Sequence, residues 1–451
     1  MSLNKDGVLT EREGFIKYGS CGGDMKCGGE SLAGAVSQRA CVYCGARVVL
    51  NPISDAYHIV HGPIGCASYT WDIRGSLSSG SDLYRNSFST DLSEKEVIFG
   101  GIKKLTAAVD EICANYSPKL IFIYSTCIVG VIGDDVESVC RYAESKYNTR
   151  VINVKSPGFS GAKMQGYKAA CDALMKLMEG SAPSGAAGKA GGGVSVNILG
   201  DFNLAGEIWI ISNYLKEIGV EVISKFTGDS KYEEIIKAPK AALNIVQCAG
   251  SMTYLAKTME DVFGVPYIKV SFFGVDDVCA SLLRIAQFFN NDEILKKAKA
   301  LILRMSPKTK AELDKYIPLL RGRKAAIYVG GGFKAISLIN QFKELGMKTV
   351  LAGTQTGKKE DYEIISSLVD SDAVVLDDAN PSELEKFMIQ KGADILVGGV
   401  KERPLAYKLG VAFCDHNHER KYALAGFEGA VNFAKEISES LNSPVWKFLR
   451  Q

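Results

Sequence analysis

Short apolar runs of β-branched and aromatic residues recur along the chain. Between many of them lie helical stretches of roughly 10–15 residues. Lys119–Ser125 is such a run, and Arg150–Val154, Val194–Gly200, Val220–Ser224, Leu243–Gln247, Ala325–Val329, Thr349–Ala352, Ala373–Leu376 and Ile395–Val397 follow it. A run apolar on both faces suits a strand covered on both sides, which is the situation of a strand in a parallel sheet. Parallel neighbours need crossover connections, and stretches such as Gly166–Glu179, Glu207–Ile218 and Asn290–Leu320 supply the helices. The pattern predicts an α/β protein of three doubly wound, Rossmann-like domains with parallel sheets.

Composition divides the chain further. Residues 1–40 are rich in Gly and Ser, carry Cys21 and Cys27, and show no sustained hydrophobic period, which reads as an N-terminal arm. A first α/β domain covers 41–180. Residues 181–193 form a Gly/Ser/Ala-rich linker whose one charge is Lys189. The second domain then runs over 194–322 and the third over 323–451, with the turn Gly330-Gly331-Gly332 after its first strand and helices at its end.

The 53 Lys and Arg nearly balance the 51 Asp and Glu, a net charge of +2, which argues against a nucleic-acid wrapper or a polybasic membrane binder. No apolar run approaches the roughly 18–20 residues of a membrane span. The opening Met1–Gly7 lacks a signal-peptide core, so a cytoplasmic location is expected. Twelve cysteines and four histidines stand out. That is too few cysteines for a disulfide scaffold, so they are buried thiols or ligands, and too few histidines for a polyhistidine zinc enzyme. Sites in doubly wound folds lie beyond the carboxyl ends of strands. Cys127 follows Lys119–Ser125 and Cys248 follows Leu243–Gln247, whereas Cys113, Cys171 and Cys279 read as core thiols.

The densest segment is Arg39–Arg74, and it admits three readings. Cys41 and Cys44 have the spacing of a redox dithiol, although no strand precedes them. They also have the spacing of half a zinc site, but no second pair follows. In the third reading Cys41, Cys66 and Cys127, each near a glycine, are thiolate ligands of an iron–sulfur cluster. Three ligands on one chain leave the fourth iron of a cubane to a partner chain or a local group.

The stretch His58-x-x-His61-Gly-Pro-Ile-Gly-Cys66, with Cys127–Glu137, closely resembles the nitrogenase component 1 family, and the resemblance runs from Gln38 to Glu436. It implies a [4Fe-4S] cluster on Cys41, Cys66 and Cys127 at the interface with a homologous subunit. Asn244–Tyr254 matches the family segment whose cysteine, here Cys248, holds one end of the iron–molybdenum cofactor. In the catalytic subunit a histidine anchors the other end. Ungapped alignment of Gly398–Asn417 places Asn417 there, and a shift of one residue would place His416 or His418. A second active-site histidine of the catalytic subunit is absent from Gly158–Tyr167, where Lys163, Tyr167 and Lys168 stand. Trp71–Gly80, Leu83–Arg85, Phe88–Glu94 and Asn417–Phe427 are similar to the branch of the family on which the cofactor is assembled. Cys44 stands where a non-ligand is expected.

The same resemblance implies roles for other residues. Arg74, Lys334 and Lys401 would face an anionic cluster, and Gly330, Gly331 and Gly332 would offer backbone N–H groups to its sulfides. On their own, His58 and His61 read as hydrogen-bonding the loop near the first cluster rather than ligating metal, and Cys414 as a buried thiol rather than a spare ligand. Cys21, Cys27, Cys44 and Cys140 receive no role. A thiolate anchor without a histidine clamp suits a scaffold, because a second strong ligand would slow release. The implied function is therefore an assembly scaffold with no catalytic residues of its own. It would hold an iron–sulfur precursor during insertion of molybdenum and homocitrate. Its partners would be a homologous N-type subunit in a heterotetramer, an ATP-dependent iron protein, and cluster-donating and cofactor-receiving proteins, with no nucleic acid and no membrane. The alternatives are a catalytic α-type subunit of a nitrogenase or nitrogenase-like reductase, and a Cys41/Cys44 dithiol redox protein.

Overall fold

The computed structural model describes residues 10–19, 25–27, 40–71, 76–80, 82–179, 193–418 and 420–449. Cys21, Arg74 and the expected linker up to residue 192 lie outside them. In chain order the strands are β1 (Ile16–Tyr18), β2 (Ala56–His61), β3 (Ser87–Ser89), β4 (Leu120–Ser125), β5 (Arg150–Lys155), β6 (Ser195–Asp201), β7 (Glu221–Thr227), β8 (Leu243–Val246), β9 (Tyr267–Lys269), β10 (Lys324–Val329), β11 (Lys348–Thr354), β12 (Val374–Asp377), β13 (Ile395–Gly398) and β14 (Ala412–Asp415). They form three sheets, ordered β3-β2-β4-β5, β7-β6-β8-β9 and β1-β12-β11-β10-β13-β14. Every pairing is parallel except the edge strand β1, which runs antiparallel to β12. The fold is α/β with Rossmann-like parallel sheets, as the alternation of runs predicts.

The chain divides into two compact units, one of Ala40–Lys269 and one of Met1–Arg39 with Val270–Gln451. In the first, β4 shows why parallel strands are apolar throughout. Phe122 and Tyr124 point into a core shared with Leu174, Met178, Leu199, Phe226 and Met252. Ile121 and Ile123 point to the other face, against Leu105, Val109 and Val139. The helix Val42–Leu50 crosses the helix Lys163–Glu179 almost backbone to backbone at Gly45 and Gly166. A Cβ on Gly166 would lie 2.0 Å from the Val42 carbonyl oxygen. This crossing sets the position of Cys41, the N-cap of the first of these helices.

In the second unit, the described part of the N-terminal arm is tied to a sheet. Ile16 lies opposite Leu376, and Arg12 meets the carboxylate of Glu383 with two hydrogen bonds, 2.9 and 3.0 Å, while donating to the Asp377 carbonyl at 2.7 Å. A three-residue edge strand needs no hydrophobic period, so nothing in residues 1–40 announces it. The helices Val275–Phe288 and Asp292–Leu313 belong to this unit and pack beside the helix Gly426–Leu441. The Phe272 carbonyl accepts from Gly426 N at 2.7 Å, and Glu344 accepts from Val275 N at 2.9 Å. The sequence pattern groups these helices with the second sheet, but an amphipathic stripe does not say which sheet it will cover.

Strand order places the sites. In each sheet the winding reverses once, between β2 and β4, between β6 and β8, and between β10 and β13. Loops separate at such a reversal and leave a crevice beyond the strand ends. Cys66 follows β2 and Cys127 follows β4; Cys248 follows β8; Gly330–Gly332 follow β10 and Lys401 follows β13.

Candidate functional site

Three cysteines lie near one another at the first reversal. Cys41 caps the helix Val42–Leu50, Cys66 lies in the first turn of the helix Ile64–Trp71, and Cys127 begins the helix Cys127–Ile132. All three are half-buried. Burial pushes the Cys66 thiol up, as do the neighbouring sulfurs of Cys127 and Cys41, while a hydrogen bond with Thr126 opposes them. Mutually repelling thiolates are what bound cationic iron would compensate.

Gly158, after β5, fits between two of the thiols. Its N–H donates to Cys127 Sγ at 3.0 Å, and a Cβ there would stand 3.1 Å from that sulfur and 3.3 Å from Cys41 Cβ. The glycine thus keeps open a cradle that a side chain would fill, and its N–H supplies the kind of hydrogen bond to sulfur that tunes iron–sulfur sites. Among the described residues no three His, Cys, Asp or Glu side chains converge as they would on a single metal ion. Gly158 was missed in the sequence, although Pro157-Gly158 directly after a strand is a signal for such a turn.

The histidines of β2 are structural. His58 Nδ1 meets Tyr124 Oη at 3.0 Å, and its ring stacks on Phe122. His61 bridges Thr90 Oγ1 at 3.0 Å and Asp134 Oδ2 at 3.1 Å, and Gly101 N donates to the same carboxylate. Burial lowers both histidine pKa values, Asp134 opposing this at His61. Cys44 is packed against Ala40 and Val48 with its side chain buried, a poor position for an exchanging dithiol.

Cys248 lies at the second reversal. It is half-buried and stands at the N-cap of the helix Ala249–Phe263. Gly200, at the end of neighbouring β6, has φ +89, and a Cβ on it would come within 2.7 Å of the Cys248 backbone nitrogen. A side chain at 200 would therefore push Cys248 from its place.

At the third reversal, Gly332 opens the helix Gly332–Glu344. Lys334 Nζ donates to the His416 carbonyl at 3.2 Å and lies 5.9 Å from the Phe273 ring centre, so it is not a freely solvated cation. His416 is fully buried edge-on to Phe273 (5.1 Å) and Phe433 (6.0 Å), and among the described residues neither ring nitrogen has a hydrogen-bond partner. Burial, with Lys334 and Arg420, holds it neutral. Asn417 N and His418 N both donate to Asp415 Oδ1 at 2.8 Å, and His418 Nδ1 accepts from Val400 N at 3.3 Å. Cys414 is buried beside Glu436, and Cys140, Cys113 and Cys171 are buried too. Cys279, expected in the core, is half-exposed, because it lies on the flank of the helix Val275–Phe288 rather than on the stripe of Val278, Ser281 and Leu282.

Glu402, beside Lys401, carries a pH signature. It accepts from Gly399 N at 2.8 Å, and burial pushes its carboxyl up to about 7. An acid raised in the folded state is neutral there while the unfolded chain ionises. Stability therefore falls as pH rises from the ordinary carboxyl range through 7. Glu402→Gln removes this, so the melting temperature of the variant minus that of the wild type should increase by roughly 3–6 °C between pH 5 and pH 8. A difference independent of pH in differential scanning fluorimetry would refute it.

Thiols and glycines gathered at strand-order reversals define a chain of metal-cluster-handling type, and it belongs to the nitrogenase component 1 type oxidoreductase family, which matches residues 41–442. Within the family its similarity has a clear direction. It is 66% identical, over 98% of this chain and 97% of the relative, to the nitrogenase iron-molybdenum cofactor biosynthesis protein NifE of Clostridium pasteurianum. It is 53% identical, over 98% of each chain, to the protein of the same name from Methanosarcina barkeri. A solved structure, nitrogenase Cp1 at pH 5, superposes with a TM-score of 0.89 at 29% identity, covering 97% of this chain and 96% of that one.

Proposed function

We propose that the chain is a scaffold subunit for nitrogenase iron–molybdenum cofactor biosynthesis, on which an iron–sulfur precursor is held while molybdenum and homocitrate are added. The relatives at 66% and 53% identity are named for that biosynthesis, whereas the solved nitrogenase is similar at 29%. The observation that carries the choice of scaffold over catalyst is the state of His416. Its ring is locked between Phe273 and Phe433, and the residue that follows it is Asn417. Cys248 is then an anchor at one end of the cargo, strong enough to hold it and unopposed by a histidine that would retain it. Lys334 and Lys401 lie beside the glycine loops of the third sheet, where fixed cations favour an anionic cargo. Arg74 is assigned the same part.

Cys41, Cys66 and Cys127 are the ligands this chain would give to a resident [4Fe-4S] cluster, which when bound supplies one-electron transfer. The chain's part is to place three thiolates and the Gly158 N–H around it. Large apolar side chains lie exposed on the same elements: Ile64 on the helix of Cys66, Val131 on that of Cys127, and Phe159 beside Gly158. Such a rim is suited to burial under a homologous subunit, which would supply the missing ligand and build the heterotetramer. An ATP-dependent iron protein and cluster-donating and cofactor-receiving proteins complete the set of partners. No described helix is long and apolar enough to cross a membrane, and the cytoplasm is the proposed location.

The test is anaerobic co-expression with the homologous subunit. The purified complex should take up an isolated precursor, and transfer the matured cofactor to cofactor-free nitrogenase component 1, while forming negligible ammonia from dinitrogen. Robust ammonia formation would overturn the scaffold reading in favour of the catalytic one.

A further inference from the structure

The helix that begins at Cys41 carries a buried cation. Arg47 is 5% exposed, and among the described residues no carboxylate pairs with it. Its Nη2 donates to Ser87 Oγ, its guanidinium lies 5.4 Å from the Tyr124 ring centre, and Nε and Nη1 are buried with no hydrogen-bond partner. Desolvating a guanidinium without a counter-ion costs several kcal/mol. A charge kept in this state calls for negative charge within electrostatic reach.

Two tyrosines connect it to the three-thiol cradle. Tyr43, one helical turn before Arg47, donates to or accepts from Thr70 Oγ1 at 2.8 Å, and Thr70 Oγ1 reaches the Cys66 carbonyl at 3.5 Å. Tyr124 lies three residues before Cys127 on the same chain segment and packs edge-on to Tyr43 with ring centres 5.7 Å apart. Arg47 therefore lies against Tyr124 and one turn beyond Tyr43, on the helix that begins after Cys41, six residues or about 9 Å of rise beyond it. The electrostatic influence of Arg47 lowers the pKa of both tyrosines, whose hydroxyls burial otherwise pushes up. Nothing in the cradle neutralises it, because its donors are thiols and a backbone N–H.

We propose that Arg47 is a positioning residue of electrostatic kind: a fixed buried cation that raises the reduction potential of the cluster held by Cys41, Cys66 and Cys127. This rests on the reading of those cysteines as cluster ligands. Adding an electron makes a cluster more negative, and a cation held in low-dielectric surroundings stabilises that state over the oxidised one. Arg47 touches no reacting atom and acts through the field across Tyr43 and Tyr124.

The experiment uses the complex with the homologous subunit, purified anaerobically as wild type, Arg47→Met, Arg47→Gln and Arg47→Lys. Iron and sulfide content, and the electron paramagnetic resonance signal of the reduced cluster, report occupancy; a redox titration of that signal reports the midpoint potential. The expected result is equal iron content throughout, a more negative midpoint in Arg47→Met and Arg47→Gln, and a near wild-type midpoint in Arg47→Lys. The glutamine variant carries the test if methionine packs too poorly for assembly. Occupied clusters with unchanged midpoints in the uncharged variants would overturn the role of Arg47 alone. A shift as large in Arg47→Lys would assign the effect to packing and overturn it too. A complex that keeps Arg47 and whose cluster survives replacement of Cys41, Cys66 and Cys127 by alanine would overturn the ligand reading, and this proposal with it.

Discussion

Replacing Cys66 by alanine is expected to empty the first site while leaving the fold in place. Cys66 is half-buried in the first turn of its helix, and its sulfur is close enough to Cys127 and Cys41 to raise its own pKa. Removing one sulfur from a half-exposed turn costs little packing, on the order of 1 kcal/mol or less. On the proposed ligand set it removes one of three protein ligands, however, and the remaining two sit on separate helices. The variant complex should lose roughly four irons per subunit pair, with the paramagnetic signal of the reduced cluster, and keep its circular dichroism. A variant that retains that iron and signal would show that the ligand set is wrong. Cys44→Ala is the matching control, since Cys44 packs against Ala40 and Val48 and should be dispensable for iron.

The second large effect is expected at Cys248. This thiol is the proposed donor at its strand-order reversal, and Gly200 leaves room for the backbone beside it. Cys248→Ala should lower retention of the precursor by at least about tenfold, judged against the ten- to hundredfold losses that even outer-shell changes cause at metal sites. The iron of the first site should be unaffected, because Cys248 follows β8 and the three-thiol cradle is built on β2, β4 and the helix Val42–Leu50. Gel filtration of the loaded complex followed by iron analysis would check this. Unchanged loading would remove Cys248 from the anchor role, and loss of both pools of iron would point to a folding defect instead.

Local pattern carried much of the fold. Runs such as Leu120–Ser125 are apolar on both faces, and burial on both faces is what a parallel sheet between helices requires. The segment Glu207–Ile218, bounded by glycines on each side, is a helix over the residues its pattern marks. Pattern was silent where a contact is made by few residues. The three-residue strand β1 and the Arg12–Glu383 pair join positions more than 350 residues apart, and neither leaves a periodic trace. The same holds for Gly158 and Gly200, whose importance is the space they leave beside a sulfur or a backbone.

The cysteines and histidines illustrate the division best. Sequence by itself determined the residue types available: cysteines placed just after strands, too few histidines for a polyhistidine centre, and the motifs around Cys66 and Cys127. Those are properties of composition and order, which survive in the unfolded chain. Tertiary structure decided which thiols share a site, because strand order, and not sequence distance, brings the loops after β2 and β4 to one reversal. It also decided that His416 is a wedge between two phenylalanines, and that Arg47 is buried without a carboxylate partner among the described residues. Burial and pairing depend on which surfaces meet, and that is settled only when helices and sheets pack.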